Sequence, residues 1–263
     1  MKTLTVTDLH FSYQEKSILA KMDFSLPAGQ LIGIVGPNGS GKSTLLKLLA
    51  RQLTPASGEI RLHQRPLDQY GHKELARTLA YLPQRPHLPA GIRVEQLVRY
   101  GRYPHQSWLQ QWSEEDNRLV QEAREQMQLD AIWQQPAASL SGGQAQRVWL
   151  AMILAQNSPL ILLDEPTSAL DIGHQADVLE AIHRMTQTGK TVVMVIHDLA
   201  AAGRYCDQLL ALAEGTLKAM GPVHEVIQAP LIEQLYGTPV DILRAPGDGA
   251  PIIVPRRAQT KNT

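Results

Sequence analysis

Two stretches of the chain carry residue types that handle phosphate. Gly36-Pro37-Asn38-Gly39-Ser40-Gly41-Lys42-Ser43-Thr44 follows the apolar run Leu31 to Val35 and precedes Leu45, Leu46, Leu48 and Leu49 at helical spacing. Glycines let successive backbone N–H groups turn toward phosphate oxygens, and the helix that follows adds the positive end of its dipole. In such a loop Lys42 reaches β- and γ-phosphates, and the Ser43 hydroxyl ligates Mg²⁺. Far downstream, Leu160-Ile161-Leu162-Leu163 delivers Asp164 and Glu165. Asp164 suits the Mg²⁺ coordination shell, through a water, and Glu165 suits a base that polarises an attacking water. Together these residues predict binding and hydrolysis of Mg-ATP.

Positioning such groups takes buried strands and helices. Leu4, Val6 and Leu9 alternate with polar residues as a half-buried strand does, and a second strand begins near Ile18. Gly58 to Leu62 and Leu79 to Leu82 read as further strands, and Leu160 to Leu163 and Val192 to Ile196 as buried parallel ones. Leu209 to Leu212 and Thr216 to Met220 flank Glu214-Gly215 as a hairpin. Arg93 to about Gln156 is mostly helical, with Glu114-Glu115-Asp116 opening one helix. Pro246, Gly247, Gly249, Pro251 and Pro255 predict an irregular tail over 246–263.

At 263 residues, with 43% hydrophobic and 19% charged side chains, the composition is that of an ordinary folded protein. Lys+Arg and Asp+Glu are 25 each, a balance that argues against a strongly basic nucleic-acid surface. Cys206 is the single cysteine, so no internal disulfide forms. Asp8 and His10 interrupt any signal-like apolar run, and later apolar runs fall far short of a membrane span. The expectation is a soluble, cytoplasmic chain that reaches a membrane only through partners.

Leu140-Ser141-Gly142-Gly143-Gln144 adds a second two-glycine turn opening a helical pattern, a further anion-binding helix N-terminus. With the two earlier motifs it identifies a resemblance, over nearly the whole chain, to the ATP-binding cassette (ABC) ATPases. The resemblance implies an α/β fold: a P-loop NTPase (RecA-like) core, an N-terminal antiparallel β subdomain, and a helical subdomain at about 93–156 within one domain over 1–245. It implies that Tyr13 stacks on adenine and that Gln84 touches Mg²⁺ and relays nucleotide state. It further implies that Ser168-Ala169-Leu170-Asp171 crosses a dimer interface and that His197 contacts the γ-phosphate. Ala145 departs from the charged or polar residue usual after the signature.

The family resemblance also implies a head-to-tail pair of cassettes. Nucleotide on Gly36 to Thr44 of one copy is covered by Ser141 to Gln144 of the other. Between Lys42 and Asp164 there are no extended heptads of the kind DNA-maintenance relatives insert, and a single cassette is unlike ribosome-associated relatives. A free-standing cassette looks most like an importer subunit at the cytoplasmic face of a membrane, with transmembrane permease subunits and, indirectly, an extracytoplasmic binding protein. Tyr100 to His105, Ala169 to Gln175, Ala202 to Asp207 and Leu235 to Val240 resemble the iron–siderophore and cobalamin importer group. Ferric hydroxamate is the expected cargo, with heme or cobalamin, and then a role on DNA or ribosomes, as alternatives.

Overall fold

In the computed structural model, which describes residues 2–88, 90–106, 112–168 and 170–256, the apolar runs become strands. The strands are β1 (Lys2–Tyr13), β2 (Lys16–Pro27), β3 (Leu31–Val35), β4 (Ser57–Leu62), β5 (Arg65–Pro66) and β6 (Leu79–Leu82). They continue with β7 (Leu160–Asp164), β8 (Thr191–Val195), β9 (Gln208–Ala213), β10 (Thr216–Pro222), β11 (Val240–Arg244) and β12 (Pro251–Pro255). The helices are α1 (Lys42–Leu49), α2 (His72–Thr78), α3 (Val94–Tyr100), α4 (Glu114–Gln126) and α5 (Gly142–Gln156). After these come α6 (Ile172–Gln187), α7 (Leu199–Tyr205), α8 (Val223–Val226) and α9 (Ala229–Tyr236).

The central sheet runs β10-β9-β3-β8-β7-β6, parallel except for β10, which turns back on β9 as a hairpin. Its inner strands are fully buried, as strands covered on both faces must be. Alternate residues feed two cores. Leu31 and Val35 of β3 and Ile161 and Leu163 of β7 face the helices α5 and α6, while Ile32, Ile34, Leu160 and Leu162 face α1 and the antiparallel sheet β2-β1-β4-β5. This is the P-loop NTPase core with an antiparallel β subdomain that the resemblance implied.

Between β6 and β7, α3, α4 and α5 pack together, and Ser113 caps the acidic first turn of α4 by accepting from Asp116 N–H. A buried ion pair locks this region. Arg102 donates to Asp116 at 2.6 Å and to the carbonyls of Ala155 and Gln156, the last residues of α5. Both side chains are almost inaccessible to water. The neighbouring Gly101 is required by close approach, because a Cβ there would lie 2.2 Å from the Met152 carbonyl oxygen.

Within 246–256 the tail departs from the irregular end expected over 246–263, of which 257–263 lie outside the described residues. Pro251–Pro255 pairs antiparallel with β11, from Val240↔Pro255 to Arg244↔Pro251. Both prolines terminate the strand, and a two-stranded ribbon has free edges on which a missing N–H costs nothing. Arg256 clamps the ribbon by donating to Asp241 and, from its backbone, to the Pro239 carbonyl. None of the described helices is long and apolar enough to cross a membrane.

Candidate functional site

The loop from Gly36 to Gly41 leaves the C-terminal end of β3 and enters α1, at the edge of the central sheet where the strand tips β3, β7 and β8 converge. Gly36 adopts φ +143°, and a Cβ there would lie 2.0 Å from the Leu212 carbonyl oxygen of β9, so only glycine fits. Lys42 is buried and folds back over the loop, donating to the carbonyls of Gly36 (2.8 Å) and Pro37 (2.9 Å). Burial pushes its pKa down, against the opposing pull of Glu165 and Asp164. Ser40 Oγ is buried without a hydrogen-bond partner among the described residues. That orphan, inside a loop of glycines, is what a cradle for phosphate oxygens presents.

Strand β7 carries the carboxylates. Ser43, in the first turn of α1, donates to Asp164 Oδ1 at 2.9 Å, which sets a hydroxyl beside a carboxylate. Burial pushes the Asp164 carboxyl up, and the Ser43 hydrogen bond opposes it. Glu165 follows in the left-handed region at φ +52°, unusual for a non-glycine residue and characteristic of functional turns. This kink turns its carboxylate between two partners. His197, at the end of β8, meets Oε1 at 2.6 Å, and Gln84 donates to Oε2. Ser168 then ties the following turn back, its hydroxyl and backbone N–H both donating to the Glu165 carbonyl. Ser43, Gln84 and His197 thus gather on the adjacent carboxylates of Asp164 and Glu165, within electrostatic reach of Lys42.

A second layer was not foreseen in the sequence. Tyr81 of β6 has a buried hydroxyl without a hydrogen-bond partner among the described residues, and burial together with the Asp164 charge raises its pKa to about 12. Tyr236, at the end of α9, accepts a hydrogen bond from Gly36 N–H at 3.1 Å. No local pattern could have signalled a contact between residues so far apart in the chain.

Other expected residues stand apart. Ser141 caps α5, accepting from Gln144 N–H while the Gln144 side chain accepts from Ser141 N–H, so Leu140 to Gln144 forms a capping box. Ser141 and Gly142 are exposed, and the side chains nearest Gly143 are His174 and Leu170 of the same chain, not the phosphate loop. Asp171 caps α6 by accepting from His174 N–H. Ala169 lies outside the described residues. Tyr13 closes the β1–β2 hairpin, half exposed and edge-on to Phe11 at 4.8 Å. The same hairpin reaches the phosphate loop, since a Cβ at Gly41 would lie 2.5 Å from the Leu19 side chain.

The family model described as ABC transporter matches residues 19–168, a span that holds the phosphate loop, Gln84, the Ser141 turn, Asp164 and Glu165. The chain belongs to the ABC transporter family. It has the ATP-binding and ATP-hydrolysing activity of that family's ATPase subunits. It is 42% identical to the achromobactin transport ATP-binding protein of Dickeya dadantii, over 97% of this chain and 95% of that one. With the petrobactin import ATP-binding protein of Bacillus anthracis the identity is 41%, covering 97% and 93%. Among solved structures, a chain of an inward-facing transporter assigned to the metal-chelate ABC type superposes with a TM-score of 0.83 at 28% identity, covering 98% of both chains.

Proposed function

We propose that this cassette is the motor of an importer for iron–siderophore complexes, working as a pair on separate permease subunits. One observation carries the catalytic part of the reading. Ser43 donates to Asp164, Gln84 and His197 both meet the adjacent Glu165, and Lys42 lies close enough to feel the charge of both carboxylates.

ATP enters on Gly36 to Thr44, with Tyr13 beside the adenine. Lys42 leaves the Gly36 and Pro37 carbonyls and turns its charge toward the β- and γ-phosphates. The orphaned Ser40 hydroxyl and the Ser43–Asp164 pair fit Mg²⁺-nucleotide chemistry, in which one or two carboxylates and the substrate phosphates bind the ion and waters fill the remaining positions. Ser43, Asp164 and Gln84 are the residues that would hold the ion. When bound it neutralises charge on the β- and γ-phosphate oxygens.

Glu165 orients and deprotonates the attacking water, and His197 holds that carboxylate from one side while facing the γ-phosphate. Gln84 and His197 each take one site on the Glu165 carboxylate, which fixes its orientation and leaves lone pairs free to accept from a water. Water is excluded and positive potential added when Ser141 to Gln144 of a second copy closes over the phosphates. Ser168, Leu170 and Asp171 line the seam, with Ala169 between them. Nucleotide holds the pair closed, and hydrolysis with phosphate release opens it.

The cargo reading is supported by relatives named for achromobactin and petrobactin, both matched over nearly the full chain. Ferric hydroxamate is the first member of the class to test. The chain works peripherally at a membrane, with an extracytoplasmic binding protein delivering cargo to the permease. Deleting the gene and supplying iron as ferric hydroxamate, ferric catecholate or hemin tests the class. Growth lost only on siderophores supports the reading; growth lost only on hemin replaces it with heme import, and growth retained on all three refutes it.

A further inference from the structure

The C-terminal helix α9 lies beyond the residues that the family model matches, yet its last residue touches the phosphate loop. Tyr236 Oη accepts from the backbone N–H of Gly36 at 3.1 Å. The carbonyl of that same residue accepts from Lys42 Nζ at 2.8 Å. Gly36 is therefore held at both polar groups, by α9 on one side and by the loop's own lysine on the other. It is also pinned from a third direction, by the Leu212 carbonyl of β9. Burial pushes the Tyr236 phenol up, so it stays a neutral hydroxyl at any working pH.

Helix α9 is itself firmly seated. Ile232 and Leu235 are buried in the core. Gly237 closes the helix in the left-handed conformation and donates to the Glu233 carbonyl at 2.8 Å. The Glu233 side chain accepts from Val240 N–H at the start of β11, so helix and ribbon are joined. The ribbon packs in turn on α7, where Pro251 leaves no room for a Cβ at Gly203. A continuous path of packed elements runs from the C-terminal ribbon through Tyr236 to the first residue of the phosphate loop.

We propose that Tyr236 is a positioning residue for nucleotide binding: it anchors the Val35–Gly36 peptide at the entrance of the phosphate loop, one peptide ahead of the carbonyl on which Lys42 rests. This rests on reading Gly36 to Thr44 as the nucleotide loop. Loss of the hydroxyl leaves a buried N–H unpaired and frees the loop's first peptide to rotate. The loop must then be ordered by the nucleotide itself, which weakens binding without touching the groups that act on the γ-phosphate.

Calorimetric titration of the full chain with Mg-ADP tests this, with Tyr236→Phe, Leu235→Ala and Lys42→Ala alongside the wild type. Removing a neutral hydrogen bond of this kind is expected to raise the Kd of Tyr236→Phe about 3- to 10-fold. Its kcat at saturating ATP stays within about twofold, because the effect is on binding. Leu235→Ala loosens the same helix but keeps the hydroxyl, so its Kd stays near wild type although its melting temperature falls. In Tyr236→Phe, amide exchange speeds up at Gly36 and leaves β3 unchanged. An unchanged Kd in Tyr236→Phe overturns the proposal, and so does an equal weakening in Leu235→Ala, which would mean general packing. If Lys42→Ala binds Mg-ADP as tightly as wild type, the reading of the loop itself falls; if only Tyr236→Phe is silent, that reading stands without Tyr236.

Discussion

Around Lys42 nearly every functional side chain already has a partner inside the chain, whereas around Ser141 the functional groups face solvent. Lys42 and Asp164 are 5% and 3% exposed, and the side chain of Glu165 is 15% exposed. Ser141 and Gly142 sit open at the tip of α5, with hydrogen bonds that close only their own capping box. Ile172, beside the Asp171 cap, is 87% exposed, which is high for a large apolar side chain. The chain thus buries and pairs the residues around Lys42 and leaves those around Ser141 open to solvent, the difference expected if the proposed second copy supplies the cover. Burial has a cost on the finished side: Lys42 and Asp164 both have pKa values displaced against their charged forms. The unfinished side carries no such penalty until it docks.

The largest effect should come from the finished half. Glu165→Gln removes the base and keeps the shape, so steady-state ATPase activity should fall about 10²- to 10⁴-fold. Nucleotide affinity should be retained in a binding titration. An ATPase rate near wild type would remove Glu165 from its role.

Damage to the open half should look different. Ser141→Arg blocks the tip of α5, and ATPase activity should drop about 10²-fold or more, as loss of electrostatic stabilisation does. Mg-ADP affinity of the single chain should stay within about twofold, since the Ser141 turn packs beside His174 and Leu170 and not on the phosphate loop of its own chain. Mixing Ser141→Arg with Lys42→Ala should restore part of the activity, because one of the two composite sites is then intact. Failure of the mixture to recover would break the contrast between the halves.

Stability tests sharpen the comparison further. Asp116→Ala leaves Arg102 buried without its partner and should cost about 3–5 kcal/mol in denaturant unfolding. That loss falls on the scaffold behind α5. The smallest effect belongs to Asp164→Asn. The raised pKa of Asp164 means that its charged form is disfavoured in the folded state, so the neutral amide should raise the melting temperature by about 1–2 °C at neutral pH. The gain is full above the raised folded pKa, fades as pH falls through it, and is gone below 3.8, where the carboxyl is protonated in both states. ATPase activity should be lost in the same variant. A lower melting temperature would mean that the Ser43–Asp164 hydrogen bond outweighs desolvation.

Much of this was legible in the residues because the information is local. The glycine loop, the strand ending in Asp164-Glu165 and the two-glycine turn at Ser141 each declare themselves within a few positions, and the parallel strands follow from continuous apolar runs. What was not legible depends on contacts between distant segments. The bond from Gly36 to Tyr236 and the orphaned Tyr81 hydroxyl have no local signature. The Arg102–Asp116 pair lies closer in sequence but acquires its meaning from the α5 carbonyls it also holds. The tail misled for a physical reason. Prolines at 251 and 255 read as breakers, yet a free-edged ribbon accommodates them at both ends of a strand.

Sedimentation of the Glu165→Gln chain decides whether a second copy completes the site. With Mg-ATP the protein should sediment as a dimer, return to monomer when nucleotide is removed, and stay monomeric with ATP when Ser141→Arg is added. A monomer that holds ATP at full affinity, or a dimer that forms equally well with Ser141→Arg, would contradict the account.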